Sequence, residues 1–233
     1  MNIHPYYPQD VGLSGNIFAE NHWAVATLIT VFATGLSVLL GSVLLGVRRV
    51  NRNLCIVDIA LILWFVMSGT IHLFFEGFFV FNNSHVAGMQ TFFAQLWKEY
   101  ALSDSRYMVS DPLVLCMETW TVILWGPLCL LTATLITTCS PYRHPVQALV
   151  STGHLYGNLI YLSTSLYEDL CIGKQYYRPE PYYFWVYFVF FNVPWLIVPS
   201  LCLYSSIKES AKAFVLSTKQ EKKNKPISSK KLL

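Results

Sequence analysis

The stretch CIVDIALILWFVMSGTIHLFFEGFFVF, residues 55–81, is apolar along its length except for a few polar side chains. It exceeds the roughly 20 residues that an α-helix needs to cross the hydrocarbon core of a bilayer. His72 and Glu76 lie four residues apart and therefore share one helical face, which Ser68 extends by a turn. An ionisable side chain at such depth costs at least a few kcal/mol, so the pair indicates a functional site.

The rest of the chain has the same membrane character. Of its 233 residues 54% are hydrophobic and 12% are charged, against about 25% charged residues in a typical soluble domain. Further apolar runs at 23–47, 113–136, 146–162 and 183–204 predict a bundle of five spanning helices. The run at 146–162 is the weakest, because S-T-G-H-L-Y-G-N interrupts it. We predict an all-α membrane domain over 1–207 and a basic, disordered tail over 208–233.

Basic residues indicate the orientation of this bundle. Arg48, Arg49 and Arg52 follow the first run, Arg143 follows the third, and eight Lys with two Glu lie from Lys208 onward. By the positive-inside rule these segments face the cytosol. We therefore predict a cytosolic C-terminus and, with five crossings, an N-terminus on the opposite side.

The last four residues, K-K-L-L at 230–233, indicate where in the cell the protein is located. They resemble the dilysine signal of membrane proteins that are returned to the endoplasmic reticulum, a signal read by a receptor. The alternative is a solubilising basic tail near anionic lipid. We predict a multi-pass protein of the endoplasmic reticulum membrane. Its partner is the lipid bilayer, and we expect no binding to nucleic acid.

The connection at 82–112 contains F-F-A-Q-L-W-K-E-Y, in which aromatic side chains flank Lys98 and Glu99. Aromatic residues of this kind favour the membrane interface. The segment predicts a short interfacial helix between helices two and three that covers one mouth of the bundle.

Polar side chains also follow single faces of two other predicted helices. Glu118, Thr121 and Trp125 are spaced i, i+3 and i+7 in helix three, and Asn192 and Trp195 are spaced i and i+3 in helix five. Pro194, two residues after the asparagine, predicts a kink in helix five that frees backbone carbonyls.

Depth along the helices decides whether these faces meet. Counting about 1.5 Å per residue from the non-cytosolic ends places Glu76 and Glu118 about 7 Å deep. A second layer, at about 12 to 14 Å, holds His72, Thr121 and Asn192. A third layer, at about 18 Å, holds Trp125 and Trp195. His154 and Asn158, another i, i+4 pair, fall in the same band on helix four. We expect the polar faces to meet.

A histidine with two carboxylates suits three kinds of site. Metal ligation is disfavoured because the six histidines form no HxxH or HxxHH box, so we predict no metal. Ion or proton transport is disfavoured because no acidic path continues to both faces. Acid/base chemistry on an apolar substrate fits best: Glu76 can share the proton of His72, with Glu118 opposite. Trp125 and Trp195 can hold their rings against a developing cation.

Four motifs carry a resemblance to a known family. They are I-H-L-F-F-E-G (71–77), L-W-K-E-Y-A-L-S-D-S-R-Y (96–107), V-L-C-M-E-T-W-T-V-I-L-W-G-P-L (114–128) and Y-F-W-V-Y-F-V-F-F-N-V-P-W (183–195). Together with H-P-Y-Y-P-Q near the start and the basic tail, they cover nearly the whole chain. The sequence resembles the emopamil-binding protein family of sterol Δ8–Δ7 isomerases.

The resemblance implies a hydrophobic sterol cavity and a cofactor-independent shift of the ring double bond of a 3β-hydroxysterol from Δ8 to Δ7. It implies protonation at C9, a carbocation at C8 and loss of a proton from C7. By motif, His72, Glu76 and Glu118 match the family's acid/base residues. The residues that match the family's substrate-binding positions are Thr121, Trp125, Asn192 and Trp195. Tyr107 matches an aromatic substrate-binding residue near the entrance of the cavity. Lipophilic amines are expected as ligands because an ammonium on an apolar body imitates the cation.

The chain departs from the family pattern at Asn158, where isomerase members have an acid. A non-isomerase branch, the emopamil-binding-protein-like proteins, keeps much of the histidine, glutamate and N-x-x-W pattern, so a non-catalytic sterol- or amine-binding membrane protein is the alternative. W-G-P-L at 125–128 favours the isomerase. Small residues on helix one, which allow close helix contact, suggest a homodimer: Gly35, Ser37, Gly41 and Ser42.

Overall fold

The computed structural model describes residues 4–224, and these residues form helices, turns and loops without a strand. The principal helices are α1 (Val25–Val50), α2 (Ile56–Asn82), α3 (Phe92–Tyr100), α4 (Pro112–Thr137), α5 (Arg143–Tyr167) and α6 (183–224). Short 3₁₀ turns lie at Ser14–Asn16, Val86–Gly88 and Ser105–Met108. The predicted all-α class is confirmed.

Wider π-helical segments interrupt the regular helices. In α2, Ile71–Glu76 separates the regular parts Ile56–Thr70 and Gly77–Asn82. In α4, Thr121–Trp125 separates Pro112–Trp120 and Gly126–Thr137. The other two segments are Glu168–Ile172, which follows α5, and Tyr183–Phe190, which precedes the regular part Pro194–Asn224 of α6. π-Helical turns are rare and occur frequently at functional sites. Two of these segments hold the histidine and threonine that the sequence marks as site residues.

Within the described residues, four helices are long and apolar enough to cross a membrane: α1, α2, α4 and the part of α6 at Tyr183–Lys222. The membrane class is thus confirmed. Five spanning helices were expected, and four satisfy this criterion of length and hydropathy. α5 has 25 residues and is about 37 Å long, but its apolar character is too low. The reason is that its inward face is largely polar: Gln147, Ser151, His154, Asn158 and Ser165 are buried.

The basic segments gather at one end of the bundle. Arg143, at the start of α5, pairs with Asp58 in the first turn of α2 at 2.7 Å. One turn further along α5, Gln147 donates to the carbonyl of Cys202 in α6 at 3.2 Å. The connections after α1 and α4 and the C-terminal part of α6 therefore share one end, as the arginine and lysine pattern predicts.

Two apolar clusters pack the two ends of the bundle. One contains Phe65, Cys129 and Val150 near the basic end, and the other contains Phe79 and Val114 near the opposite end. Along α2 and α4, the residues that lie between the two clusters include the predicted acid/base side chains. The site is therefore held between two well-packed layers. All six cysteines are free.

α3 closes the end opposite the basic segments. Trp97 donates its indole N–H to the carbonyl of Phe75 at 2.9 Å, and Tyr6 from the N-terminal segment donates to the carbonyl of Lys98 at 3.2 Å. Burial lowers the pKa of Lys98 to about 8, and its ammonium donates to the carbonyl of Ala19. The predicted short helix is confirmed, and its position at a bilayer surface stays a prediction.

The C-terminal helix differs from the prediction. A break at Val193 precedes Pro194, as the missing proline N–H requires, but the helix then continues to Asn224. Residues 208–224 are therefore helical and not irregular, because this segment contains good helix formers and neither Gly nor Pro. The K-K-L-L terminus lies outside the described residues. The homodimer also stays a prediction, with open space beside Gly35 and Gly41.

Candidate active site

A cavity of about 660 Å³ lies inside the bundle, a volume typical of sites for small-molecule ligands. α2, α4, α5 and α6 supply most of its wall, and α3 closes one end with Leu96, Trp97 and Tyr100. Every side chain predicted from the sequence as catalytic or substrate-binding lines it: His72, Glu76, Tyr107, Glu118, Thr121, Trp125, Asn192 and Trp195. The structure therefore brings together the layers expected from counting depth along the helices.

The π-helical segment of α2 aligns a histidine with a carboxylate. Nδ1 of His72 lies 2.7 Å from Oε2 of Glu76, and the histidine is buried. A carboxylate accepts but cannot donate while ionised, so the ring donates from Nδ1. This contact leaves Nε2 of the ring directed away from the glutamate.

The π-helical segment of α4 connects the two carboxylates. The hydroxyl of Thr121 lies within hydrogen-bond distance of Oε2 of Glu76 and is 3.3 Å from Oε2 of Glu118. It is also 2.7 Å from the backbone carbonyl of Glu118. A hydroxyl has one proton to donate and can also accept, so it can link one protonated and one ionised carboxyl.

Tyr107 reaches this network from the loop between α3 and α4. Its hydroxyl donates to Oε1 of Glu118 at 2.6 Å. Burial and the adjacent glutamate raise the pKa of Tyr107, so the phenol keeps the proton that it donates. The side chain is only 4% exposed and packs against Trp97, whereas the family resemblance implied an aromatic near the entrance. In this structure it is a buried donor to a carboxylate.

A buried ion pair holds the loop that carries this tyrosine. Arg106 and Asp104 are 2.6 Å apart, and both are almost fully buried. The guanidinium also donates to the hydroxyl of Thr164 at 2.9 Å and to the carbonyl of Tyr161 at 3.2 Å, both on α5. These donors satisfy the buried charges, and the pair ties D-S-R-Y to the bundle.

The remaining predicted residues, Trp125, Asn192 and Trp195, also line the cavity. Trp195 packs against Trp64 with ring centroids 5.3 Å apart. Trp125 lies directly over Gly153 of α5, where an added Cβ would meet the indole at 2.6 Å. The amide of Asn192 donates to the carbonyl of Phe188 at 2.7 Å. These three side chains shape the apolar part of the cavity.

Asn158 of α5 forms a hydrogen bond to the backbone at the break in α6. Its amide donates to the backbone carbonyl of Asn192 at 2.9 Å. That carbonyl is free because Leu196, four residues on, donates instead to Val193. The kink predicted from Pro194 therefore frees a carbonyl, and an asparagine on α5 satisfies it.

Two residues beside the acid/base network were absent from the predicted set: His154, which lines the cavity, and Cys129, which lies behind it. Nε2 of His154 lies 3.1 Å from Nε2 of His72 and 3.5 Å from Sγ of Cys129. His154 had a sequence signal in its depth and its i, i+4 spacing to Asn158. Cys129 had none, because an isolated cysteine in an apolar run is typical of packing. The prediction of no metal ligands considered only boxes along the chain, whereas three helices contribute to this group.

The fold and the cavity define a class of protein: an all-α multi-pass membrane protein with a chain of hydrogen-bonded acidic and imidazole side chains on the wall of an apolar cavity. Comparison with known proteins agrees with this class. The sequence profile of the family described as EBP: EXPERA (EXPanded EBP superfamily) matches residues 92–206.

Curated relatives match most of the chain. The 3-beta-hydroxysteroid-Delta(8),Delta(7)-isomerase of Cavia porcellus is 34% identical over 89% of this chain and 89% of its own length. Proteins of the same name from Mus musculus and Rattus norvegicus are 35% and 36% identical, each over 91% of this chain and 90% of their own length. The chain belongs to the EBP family.

Proposed function

We propose that the chain is a sterol isomerase that moves the ring double bond of a 3β-hydroxysterol from Δ8 to Δ7 without a cofactor. The observation that carries the proposal is the hydrogen-bonded line from His72 through Glu76 and Thr121 to Glu118 on the wall of one apolar cavity. The names of the closely similar relatives supply the substrate class.

The reaction needs one proton delivered and one removed. The imidazolium of His72, paired with the Glu76 carboxylate, gives a proton to C9 as the electrons of the C8–C9 double bond form the new C–H bond, which leaves a neutral imidazole and a cation at C8. Glu118 takes a proton from C7, and the electrons of that C–H bond form the C7–C8 double bond. The sterol keeps its composition, and the protein keeps its proton count.

The network also offers a way to restore the starting state. After one turnover the extra proton is on Glu118, while the His72 and Glu76 pair has lost one. The hydroxyl of Thr121 lies within hydrogen-bond distance of both carboxylates and can pass the proton back. This route would not need water to enter the cavity.

The same charges explain the expected binding of lipophilic amines. An ammonium at the position of C8 resembles the cation and would be attracted by the carboxylates and by the faces of Trp125 and Trp195. We expect such an amine to compete with the sterol. An amine that lowers kcat without raising KM for the sterol would argue against a shared site.

Expression in cells that lack Δ8–Δ7 isomerase, followed by sterol analysis, tests the proposal. We expect Δ8-sterols to disappear and Δ7-sterols to form, with the Glu118→Gln variant as the matched inactive control. Persistent Δ8-sterol despite folded, amine-binding protein would favour the alternative, a non-catalytic sterol- or amine-binding membrane protein.

The resemblance to the family also supports a location in the endoplasmic reticulum membrane, with the C-terminus in the cytosol. Co-localisation of the tagged chain with a resident marker of that membrane tests the location. A signal confined to the plasma membrane would contradict it.

A further inference from the structure

Three side chains from three helices meet beside the acid/base network. His72 on α2 and His154 on α5 place their Nε2 atoms 3.1 Å apart, and Sγ of Cys129 on α4 lies 3.5 Å from Nε2 of His154. All three potential ligand atoms lie within 4.8 Å of one another, and all three residues are buried. The proposed proton transfers use only the first of these residues.

The spacing matches the edges of a tetrahedral metal site. Zinc lies about 2.0 to 2.1 Å from imidazole nitrogen and about 2.3 Å from thiolate sulfur, which sets nitrogen atoms about 3.3 Å apart and nitrogen and sulfur about 3.6 Å apart. The observed 3.1 and 3.5 Å are close to these values. The third edge, between His72 and Cys129, lies within 4.8 Å and would shorten to about 3.6 Å, so an ion can be accommodated by movement of these side chains.

The groups around the ligands also suit a metal. Metal-binding histidines commonly donate their second ring N–H to a carboxylate, and Nδ1 of His72 lies 2.7 Å from Glu76. Nδ1 of His154 is buried without a hydrogen-bond partner in the described part of the chain. When His72 is doubly protonated, its Nε2 donates to Nε2 of His154, which then carries its proton on Nδ1 and presents a lone pair at Nε2.

The donor set and the charge balance indicate which ion fits. Two imidazoles with a thiolate suit zinc and similar borderline-soft ions, whereas magnesium and calcium prefer oxygen ligands. A divalent ion with the Cys129 thiolate and the Glu76 carboxylate is neutral overall, which limits the cost of burial. Both histidines line the cavity, so the cavity gives access to the fourth ligand position.

We propose that His72, His154 and Cys129 form a zinc site whose occupation reversibly inhibits the protein. Binding releases the thiol proton of Cys129 and the Nε2 proton of His72 to solvent and places the Nε2 lone pairs of both histidines on the ion. His72 then cannot exchange a proton with a substrate. The inhibitory effect rests on the proposed isomerase function, whereas the binding site itself does not.

Cobalt binding to the metal-stripped protein in detergent micelles tests the site directly. We expect one Co²⁺ per chain, with a thiolate-to-cobalt charge-transfer absorption that Zn²⁺ displaces. Cys129→Ser should remove this absorption, and both Cys129→Ser and His154→Gln should weaken Co²⁺ binding by about tenfold or more. Cys202→Ser is the matched control, because Cys202 is also buried but lies outside the group. Absence of the absorption in the unmodified protein, or its persistence in Cys129→Ser, would overturn the site.

Sterol turnover by the same preparations tests the inhibition. We expect micromolar Zn²⁺ to stop turnover, a chelator to restore it, and Cys129→Ser to turn over normally with at least about a tenfold higher inhibitory zinc concentration. Cobalt binding without any effect of zinc on turnover would overturn the inhibitory role. Loss of turnover on chelation, with recovery on adding zinc, would also overturn it, since the ion would then be required. Absence of turnover in metal-free protein that binds cobalt would contradict the proposed isomerase and leave the site standing.

Discussion

At the scale of single residues, each member of the acid/base network has a hydrogen-bond partner. A buried ionisable side chain without partners is strongly destabilising, and the chain avoids this with three linked contacts. His72 bonds to Glu76, the hydroxyl of Thr121 lies between the two glutamates, and Tyr107 bonds to Glu118. The arrangement keeps two carboxyl groups and an imidazole together on the wall of an apolar cavity. Such a network can hold and move protons.

The two carboxylates are expected to be essential for turnover. Glu76→Gln removes the negative charge beside His72, and Glu118→Gln removes the group that accepts the C7 proton in the proposed reaction. We expect each to lower kcat about 100-fold or more, because positioned acid/base groups contribute about that much. Assays of the purified variants with a Δ8-sterol check this.

A matched control for these variants is Glu20→Gln, which changes an exposed glutamate in the N-terminal segment. It should leave turnover unchanged. Near-normal turnover in both active-site variants, with intact thermal melting, would move the chemistry to other residues.

The bridging hydroxyl is expected to limit the rate of return to the starting state. Thr121→Val keeps the shape but removes the hydroxyl, so we expect kcat to fall about fivefold or more with little change in KM, consistent with the loss of about 1 kcal/mol of hydrogen bonding. Thr121→Ser keeps the hydroxyl and should restore most of the rate. Equal rates in the valine and serine variants would show that the proton returns by another route.

At the scale of elements, π-helical turns and a polar helix build the site. Ile71–Glu76 and Thr121–Trp125 lie on adjoining helices and hold the central polar side chains. α5 directs its polar face inward, where His154 and Asn158 meet α2 and α6, and exposes Leu149 and Leu159 outward. A helix with this arrangement has low mean hydropathy although it is apolar towards lipid.

The contact between α4 and α5 is expected to control the room available for a sterol. Gly153→Ala would place a Cβ against the ring of Trp125, which can relieve the clash by moving into the cavity. Overpacking of this kind costs about 1 to 3 kcal/mol, so we expect KM for the sterol to rise about fivefold or more. Kinetics with a Δ8-sterol measure the effect.

Gly157→Ala is the matched control. Gly157 lies one turn further along the same helix and also lines the cavity, but an added Cβ there has no atom within 4 Å. Its KM should stay close to that of the unmodified protein. Similar KM values in both variants would contradict a specific role of the contact with Trp125.

At the scale of the whole molecule, the helices form a bundle with the arginine-bearing connections after α1 and α4 and the described C-terminal part of α6 at one end. Within residues 4–224, four helices are apolar enough to cross a membrane by length and composition, and α5 packs along α6. Because α5 lies within the same bundle and is about 37 Å long, we expect it to cross as well. Five crossings place the two termini on opposite sides of the membrane, whereas four would place them on the same side.

Tags at the two termini distinguish these arrangements. After selective permeabilisation of the plasma membrane, we expect antibodies to reach a C-terminal tag and not an N-terminal tag, in agreement with the positive-inside rule. Full permeabilisation, which should expose both tags, is the control. Access to both tags after selective permeabilisation would contradict five crossings.

The sequence by itself determined the membrane class, the short helix at 92–100 and the acid/base side chains of the cavity wall. These follow from local properties, since bilayer thickness sets the length of an apolar run and helical spacing sets which side chains share a face. His72 with Glu76 is the clearest case, because an i, i+4 pair is in contact wherever the helix forms. Depth counting extended this reasoning to Glu118 and Asn192, which lie on other helices.

Only the tertiary structure decided which side chains from different helices touch. The contact of Tyr107 with Glu118 depends on how a buried ion pair folds the loop before α4. The approach of Cys129 to His154 depends on the rotation and spacing of two packed helices. Apolar periodicity specifies neither rotation nor spacing to within an ångström, because many side-chain sets can fill the same volume.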